Sequence, residues 1–266
     1  MTTKVISSII MIIVLIPIVI LGGLPYNLLA LLIALGGFYE LIKLRERKKE
    51  IPFIVKIIAY IITTILIFNN TNEMGFSYAL DYRILALVII SMLGPIVFLE
   101  KDKNYNIQDA LYLISSILFI GISFNLLILL RNYGLNYFLY IIVIANITDT
   151  FCFFSGSCIG RHKLAPKISP NKTIEGSVGG SIAGTIISTI YYLTFVDPLA
   201  NVYFIIFVTL ILTIFAQVGD LVFSAIKRYY DTKDFSNLIP GHGGILDRFD
   251  SIIFVVLVFI IIIGLL

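Results

Sequence analysis

Two carboxylates in the second half of the chain are placed where they could bind a metal ion. Asp220 lies about two turns inside the end of a long apolar segment, and Asp247 opens the next apolar segment after a Gly-rich turn. A lone carboxylate deep in a bilayer costs about 3 kcal/mol, so it usually faces a polar cavity or a partner. Because no histidine or cysteine cluster adjoins them, we expect oxygen ligation of Mg²⁺, and a second cation stays open.

Basic and small residues surround these acids. Asp220, Ser224 and Lys227 follow i, i+4, i+7 and share a helix face. The alternative is a salt-bridged loop in which Asp250 serves only as a helix cap. The pattern favours metal-assisted phosphoryl chemistry, in which charge neutralisation does most of the work. We expect catalytic roles for Asp220, Asp247, Lys227 and Arg228, and substrate binding by Ser224, His242, Gly243, Gly244, Arg248 and Asp250.

A second polar segment covers 160–176. It holds two prolines, which bar a continuous helix, and it leads into a helix at Thr173 or Ile174. Free N–H groups and hydroxyls at a helix start, with lysines beside them, can bind an anion. An ordinary basic loop that sets membrane orientation fits the composition equally well, although the Ser-Pro-Asn-Lys-Thr run favours phosphate. The expected phosphate-binding residues are Lys167, Ser169, Asn171, Lys172 and Thr173.

The elements that must position these residues are membrane helices. Hydrophobic residues form 59% of the chain, charged residues 13%, and the mean hydropathy is +1.02. A helix needs roughly 20 mainly apolar residues to cross the hydrocarbon. The sequence therefore predicts an all-α, polytopic membrane protein with about nine spans. These are Val5–Leu21, Tyr26–Ile42, Phe53–Phe68, Tyr82–Leu99, Gln108–Leu130, Asn136–Cys158, Ile174–Val196, Val202–Ile226 and Phe249–Leu266.

The distribution of basic residues predicts the orientation. With nine spans and an inside N-terminus, 17 of the 19 lysines and arginines fall on the inner side, and only Arg83 and Arg131 fall outside. The polar chemistry then faces the cytoplasm, and we expect the cell (plasma or inner) membrane. Basic residues are not interleaved with aromatic ones as in single-strand binders, which argues against nucleic acid as a partner.

The chain divides into two regions of different character. Residues 1–135 form five plain apolar spans, whereas 136–266 hold both histidines, the intramembrane acids and the polar loops. We expect an N-terminal transmembrane region and a C-terminal catalytic one. Gly176, Gly180 and Gly184 recur every four residues, which indicates a helix face that another backbone approaches closely.

The stretch Ser224–Asp250 resembles the signature of phosphatidate cytidylyltransferases, also called CDP-diacylglycerol synthases. The match spans 27 residues at several fixed spacings, and His162–Gly176 is similar to a second segment of that family. Ile174 stands where the family usually has Trp, and Phe151-Cys152 where it usually has Gly-Ala, although Asp149 is kept.

The resemblance implies a reaction of phospholipid biosynthesis, in which CTP and phosphatidate give CDP-diacylglycerol and pyrophosphate. It also implies a Mg²⁺ requirement with metal binding at Asp220 and Asp247, a polar cavity facing the cytoplasm, and a homodimer. Two alternatives stay open. One is a related cytidylyltransferase that uses another lipid phosphate. The other is an ion-coupled secondary transporter, which is disfavoured because the polar features lie in one half of the chain only.

Overall fold

The computed structural model describes residues 13–69, 82–99, 105–239, 241 and 243–264. The predicted all-α membrane fold is confirmed, because helices occupy the described part of each predicted span. The helices are α1 (13–21), α2 (Gly23–Glu46), α3 (Phe53–Ile67), α4 (Tyr82–Phe98), α5 (Ile107–Tyr133), α6 (Leu135–Ile159), α7 (Ile174–Tyr191, then a π-helical turn Tyr192–Val196), α8 (Val202–Tyr229) and α9 (Leu246–Gly264). Five helices in the described part are long and apolar enough to cross a membrane; they are α2, α5, α6, α8, and α7 with its continuation to Val196.

The chain forms two compact units. Unit 1 consists of Met1–Tyr133 and Asp234–Leu246, and unit 2 of Gly134–Lys233 and Asp247–Leu266. The first boundary between the units falls between Tyr133 and Gly134, which is two residues before the predicted division at 135/136. Segment 234–246, which was predicted to belong to the C-terminal region, groups with unit 1. The functional division at 135/136 stays a prediction.

Helix α5 lies at the centre of unit 1, where it packs against α2, α3 and α4. Asp109 in its first turn is buried and accepts hydrogen bonds from Arg45 Nη2 at 2.6 Å and Lys49 Nζ at 3.0 Å. At its other end, Arg131 donates to the carbonyl oxygens of Val19 and Ile20 at 2.6 and 2.7 Å. An acid at the N-terminus and a base at the C-terminus also complement the helix dipole.

Helices α6 and α7 make the closest helix pair of unit 2. A Cβ atom at Gly176 would lie 2.7 Å from the carbonyl oxygen of Cys152, and one at Gly180 would lie 2.8 Å from that of Thr148. Real side chains do not fit at those distances from backbone, so glycine is required. The predicted close approach at the glycine face is confirmed, and its partner is α6 of the same chain. Helix α8 packs against both helices.

The loop between α6 and α7 contains a structure that the sequence did not predict. Strands β1 (Lys163–Ala165) and β2 (Ser169–Thr173) pair antiparallel, and α7 follows directly at Ile174. The Thr173 side chain caps α7 by accepting from the N–H of Gly176 at 3.1 Å, so the predicted helix start is confirmed. The Glu175 carboxylate accepts from the N–H groups of Arg161 and His162, which holds the hairpin against the helix start.

Candidate active site

A cavity of about 480 Å³ lies within unit 2, and four aspartates line it. Asp149 comes from α6, Asp220 from α8, and both Asp247 and Asp250 come from the start of α9. Part of the remaining lining comes from β2, which contributes Asn171, Lys172 and Thr173. Residues far apart in sequence therefore converge on one polar cavity among apolar helices.

The two predicted metal ligands each lie beside a lysine. The Lys172 ammonium forms an ion pair with Asp220, and Lys227 Nζ lies 2.6 Å from Asp247 Oδ1. Ser224 donates to Asp220 Oδ1 at 3.3 Å, as the shared helix face predicted. The Lys227–Asp247 pair is well shielded, because these side chains are only 11% and 7% exposed. Two cations already occupy positions next to carboxylate oxygens.

Asp149 is a cavity residue that the predicted site did not include. The sequence marked it as an intramembrane acid, but no spacing connected α6 with α8 or α9. In the structure, Ser251 Oγ donates to Asp149 Oδ2 at 3.0 Å, while the Ser251 N–H donates to Asp250 Oδ1 at 2.8 Å. Ser251 thus joins the two remaining acids of the cavity. In the sequence, the one sign of this link was that Ser251 directly follows Asp250.

Close packing of α8 on α9 brings Asp220 and Asp250 to the same cavity. Gly219 precedes Asp220, and a Cβ there would lie 2.6 Å from the carbonyl oxygen of Asp250. The glycine removes that obstacle, so the two helix backbones can approach. Position 219 therefore has a structural role in building the site.

The other predicted site residues differ in where they lie. Lys167 is exposed, and Ser169 is half-buried; neither belongs to the described cavity lining. Arg228 donates to the carbonyl oxygens of Ile168 and Thr232, at 3.3 and 2.8 Å, so it braces the loop between β1 and β2. Arg248 is exposed at the start of α9. Their roles toward a substrate stay predictions.

The predicted Gly-rich turn belongs to unit 1. Gly243 has φ 87° and its carbonyl accepts from the N–H of Ile239 at 2.9 Å, which closes a tight turn. Gly244 is buried against the carboxylate of Glu40. His242, predicted to bind substrate, lies outside the described residues.

The donor set of the cavity suits a hard divalent cation that is shared with substrate. Among the described residues, no group of three or more acidic, histidine or cysteine side chains could enclose a metal ion by itself. Mg²⁺ does not need such an enclosure, since it keeps several waters and commonly binds through one or two carboxylates plus substrate phosphates. Asp220 and Asp247 are carboxylates of that kind, each already paired with a lysine, so Mg²⁺ binding by them stays a prediction.

The fold and the site define a helical membrane protein with an acid-lined cavity, to whose described lining Lys172 also belongs. The model of the Cytidylyltransferase family matches residues 2–266. The chain is 36% identical to a phosphatidate cytidylyltransferase of Staphylococcus haemolyticus, 34% to one of Staphylococcus epidermidis and 35% to one of Staphylococcus aureus, in each case over 96% of both chains. The chain belongs to the cytidylyltransferase family. The resemblance of Ser224–Asp250 is thereby confirmed, and the transporter alternative is not favoured.

Proposed function

We propose that the chain transfers the cytidylyl group of CTP to phosphatidate, giving CDP-diacylglycerol and pyrophosphate. Family membership and the names of the relatives support this reaction. The observation that carries it is the convergence of four aspartates and Lys172 on one cavity, with Lys227 bonded to Asp247. An acid-lined cavity for two anionic phosphates makes chemical sense only if cations neutralise the charge between them.

In this proposal, two of the aspartates and both lysines have a defined task. Asp220 and Asp247 would hold Mg²⁺, which when bound supplies charge neutralisation for the phosphates. A phosphate oxygen of phosphatidate forms a bond to the α-phosphorus of CTP, and the bond from that phosphorus to the bridging oxygen breaks. Lys172 and Lys227 are cations of the chain itself that can stabilise charge on the departing pyrophosphate. A general base is unnecessary because the attacking oxygen is already anionic.

The proposal also locates the site at the cytoplasmic face of the cell membrane. A lipid phosphate held in the membrane must meet a triphosphate that is dissolved in the cytosol. The predicted concentration of 17 of 19 basic residues on the inner side supports this orientation.

A homodimer completes the proposal. Helix α7 leaves a row of apolar side chains exposed on the face away from its glycines, at Val178, Ile182, Ile186 and Ile190. A second copy can cover this row, as lipid acyl chains can. Mass measurement of the detergent-solubilised protein decides between two chains and one.

One assay tests the reaction and its acceptor. Purified protein in detergent receives labelled CTP and either phosphatidate or an isoprenoid phosphate, with Mg²⁺ or with a chelator. We expect labelled CDP-diacylglycerol and pyrophosphate only with phosphatidate and Mg²⁺. Faster turnover of the isoprenoid phosphate would favour the alternative acceptor, and turnover undiminished by the chelator would contradict the metal assignment.

A further inference from the structure

Unit 1 contains a buried carboxylate that the proposed chemistry does not use. Glu40 lies within α2 and is fully buried, with 0% of its surface exposed. Burying an ionised group is costly unless hydrogen bonds replace the lost water. The hydrogen-bond partners of Glu40 therefore indicate its role.

The Glu40 carboxylate holds both ends of the Gly-rich turn. After the turn, the N–H of Ile245 donates to Oε1 at 2.8 Å and the N–H of Leu246 donates to Oε2 at 2.9 Å. Before the turn, the Ser236 hydroxyl donates to Oε1 and accepts from the N–H of Leu238 at 3.1 Å. All these groups belong to unit 1.

The turn cannot cap α9 with its own side chains. The first N–H groups of a helix lack partners within the helix, and a side-chain oxygen just before the helix usually accepts from them. Here the preceding residues are Gly243, Gly244 and Ile245, which offer no side-chain oxygen. Glu40 supplies that oxygen from another helix, and its negative charge suits the positive end of the α9 dipole.

Gly244 shows how closely the carboxylate is fitted to this turn. A Cβ atom at Gly244 would lie 2.5 Å from Glu40 Oε1, so a larger residue would displace the carboxylate. Gly241 and Gly243 have φ angles of 78° and 87°, which favour glycine for a different reason. The turn is built of glycines around a carboxylate that comes from α2.

We infer that Glu40 is a positioning residue for the start of α9, through which it orients the carboxylate of Asp247. Glu40 accepts a hydrogen bond from the N–H of Leu246, and Leu246 is joined by a peptide bond to Asp247. The inference rests on the proposed function only in that Asp247 is taken as a Mg²⁺ ligand.

The test replaces one oxygen of the carboxylate and keeps its size. Glu40→Gln can accept from only one of the two N–H groups and turns its amide donor toward the other. We expect the amides of Ile245 and Leu246 to exchange hydrogen about tenfold faster. We also expect the Mg²⁺ concentration for half-maximal turnover to rise about tenfold, as for lost support of a metal ligand. Glu46→Gln is the matched control, since Glu46 lies on the same helix and pairs with Lys56 at the surface.

Distinct results would overturn the inference. Unchanged amide exchange in Glu40→Gln would show that Glu40 does not hold the helix start, and unchanged Mg²⁺ dependence with general instability would show a merely structural role. Should Glu40→Gln fail to insert, Ser236→Ala removes one of the hydrogen bonds described above and must shift both readouts in the same direction by a smaller factor. A wild-type chain that turns over without Mg²⁺ would instead contradict the metal assignment within the proposed function, while amide exchange still decides whether Glu40 caps α9.

Discussion

At the scale of residues, the site is organised as pairs of opposite charge. Asp220 pairs with Lys172 and Asp247 pairs with Lys227, while Asp149 and Asp250 are connected through Ser251. The Lys227–Asp247 pair is well shielded from water, with side chains 11% and 7% exposed, so removing one member would leave a poorly solvated charge. The Lys172–Asp220 pair is more accessible, at 23% and 26%.

Substitution of the carboxylates tests the metal assignment. Asp220→Asn and Asp247→Asn keep the side-chain shape but remove the charge, so we expect folded, inserted protein with turnover reduced about a thousandfold or more. Asp234→Asn is the control, because Asp234 is exposed, and we expect a milder loss. Turnover is measured across a range of Mg²⁺ concentrations. Near-normal activity of Asp220→Asn at ordinary Mg²⁺ would mean that this acid is structural.

The polar loop before α7 is tested at Lys172. Lys172 pairs with Asp220 and lines the cavity, so we expect Lys172→Ala to raise the KM for CTP or phosphatidate about tenfold while the protein stays folded. Lys167→Ala should have a smaller effect, since Lys167 is exposed. Lys163→Ala, on the exposed side of β1, is the matched control. If Lys172→Ala and Lys167→Ala both keep full activity, the loop serves only to set membrane orientation.

At the scale of elements, close helix packing brings Asp149 to the cavity. Helix α6 carries Asp149 one residue after Thr148, whose carbonyl contacts the Gly180 position of α7. A Cβ there would meet Cys152 Sγ first, and because the Thr148 carbonyl oxygen lies only 2.8 Å away, the α6 backbone must also shift when that position is enlarged. The glycine face thus controls where an acid of the site lies.

Enlarging Gly180 tests this dependence. We expect Gly180→Ala to destabilise the protein by about 1–3 kcal/mol, as overpacking does, and to lower turnover through displacement of Asp149. Gly94→Ala is the control, since nothing lies within 4 Å of a Cβ atom at that position in α4, and alanine favours helix. Thermal unfolding in detergent and turnover are the measurements. Equal stability of both variants would argue against a tight α6–α7 contact.

The helices could be predicted from sequence, whereas the completed site could not. Long apolar runs determine the spans, and the helix ends that the structure describes lie within a few residues of the predicted ones. The hairpin was missed because prolines in 160–176 exclude helix without indicating which strands pair. Asp149 and Glu40 were missed for a related reason: each acts through residues more than 90 positions away, at Ser251 and at Ile245 and Leu246. Such pairings follow from packing, which local patterns do not encode.

At the scale of the whole molecule, access of CTP to the proposed site depends on how the chain is oriented in the membrane. The positive-inside distribution predicts an inside N-terminus and an outside C-terminus, with the β1–β2 hairpin inside. The hairpin carries Lys172, so under the proposed function an orientation with the hairpin inside would also open the cavity to CTP in the cytosol. An inverted chain would leave the cavity facing a compartment without CTP.

Cysteine labelling of intact cells tests that orientation. We expect Ala165→Cys, at the end of β1, to be protected from a membrane-impermeant thiol reagent and to react only after the cells are opened. Asn72→Cys, at a position outside the described residues and in a predicted outer loop without lysine or arginine, should react in intact cells. The wild-type chain is the control, because it shows how much reagent the native cysteines take up. Cys158 is exposed at the end of α6 and is expected on the inner side. Reaction at position 165 with protection at position 72 would invert the orientation, and the cytoplasmic site would then have to be abandoned.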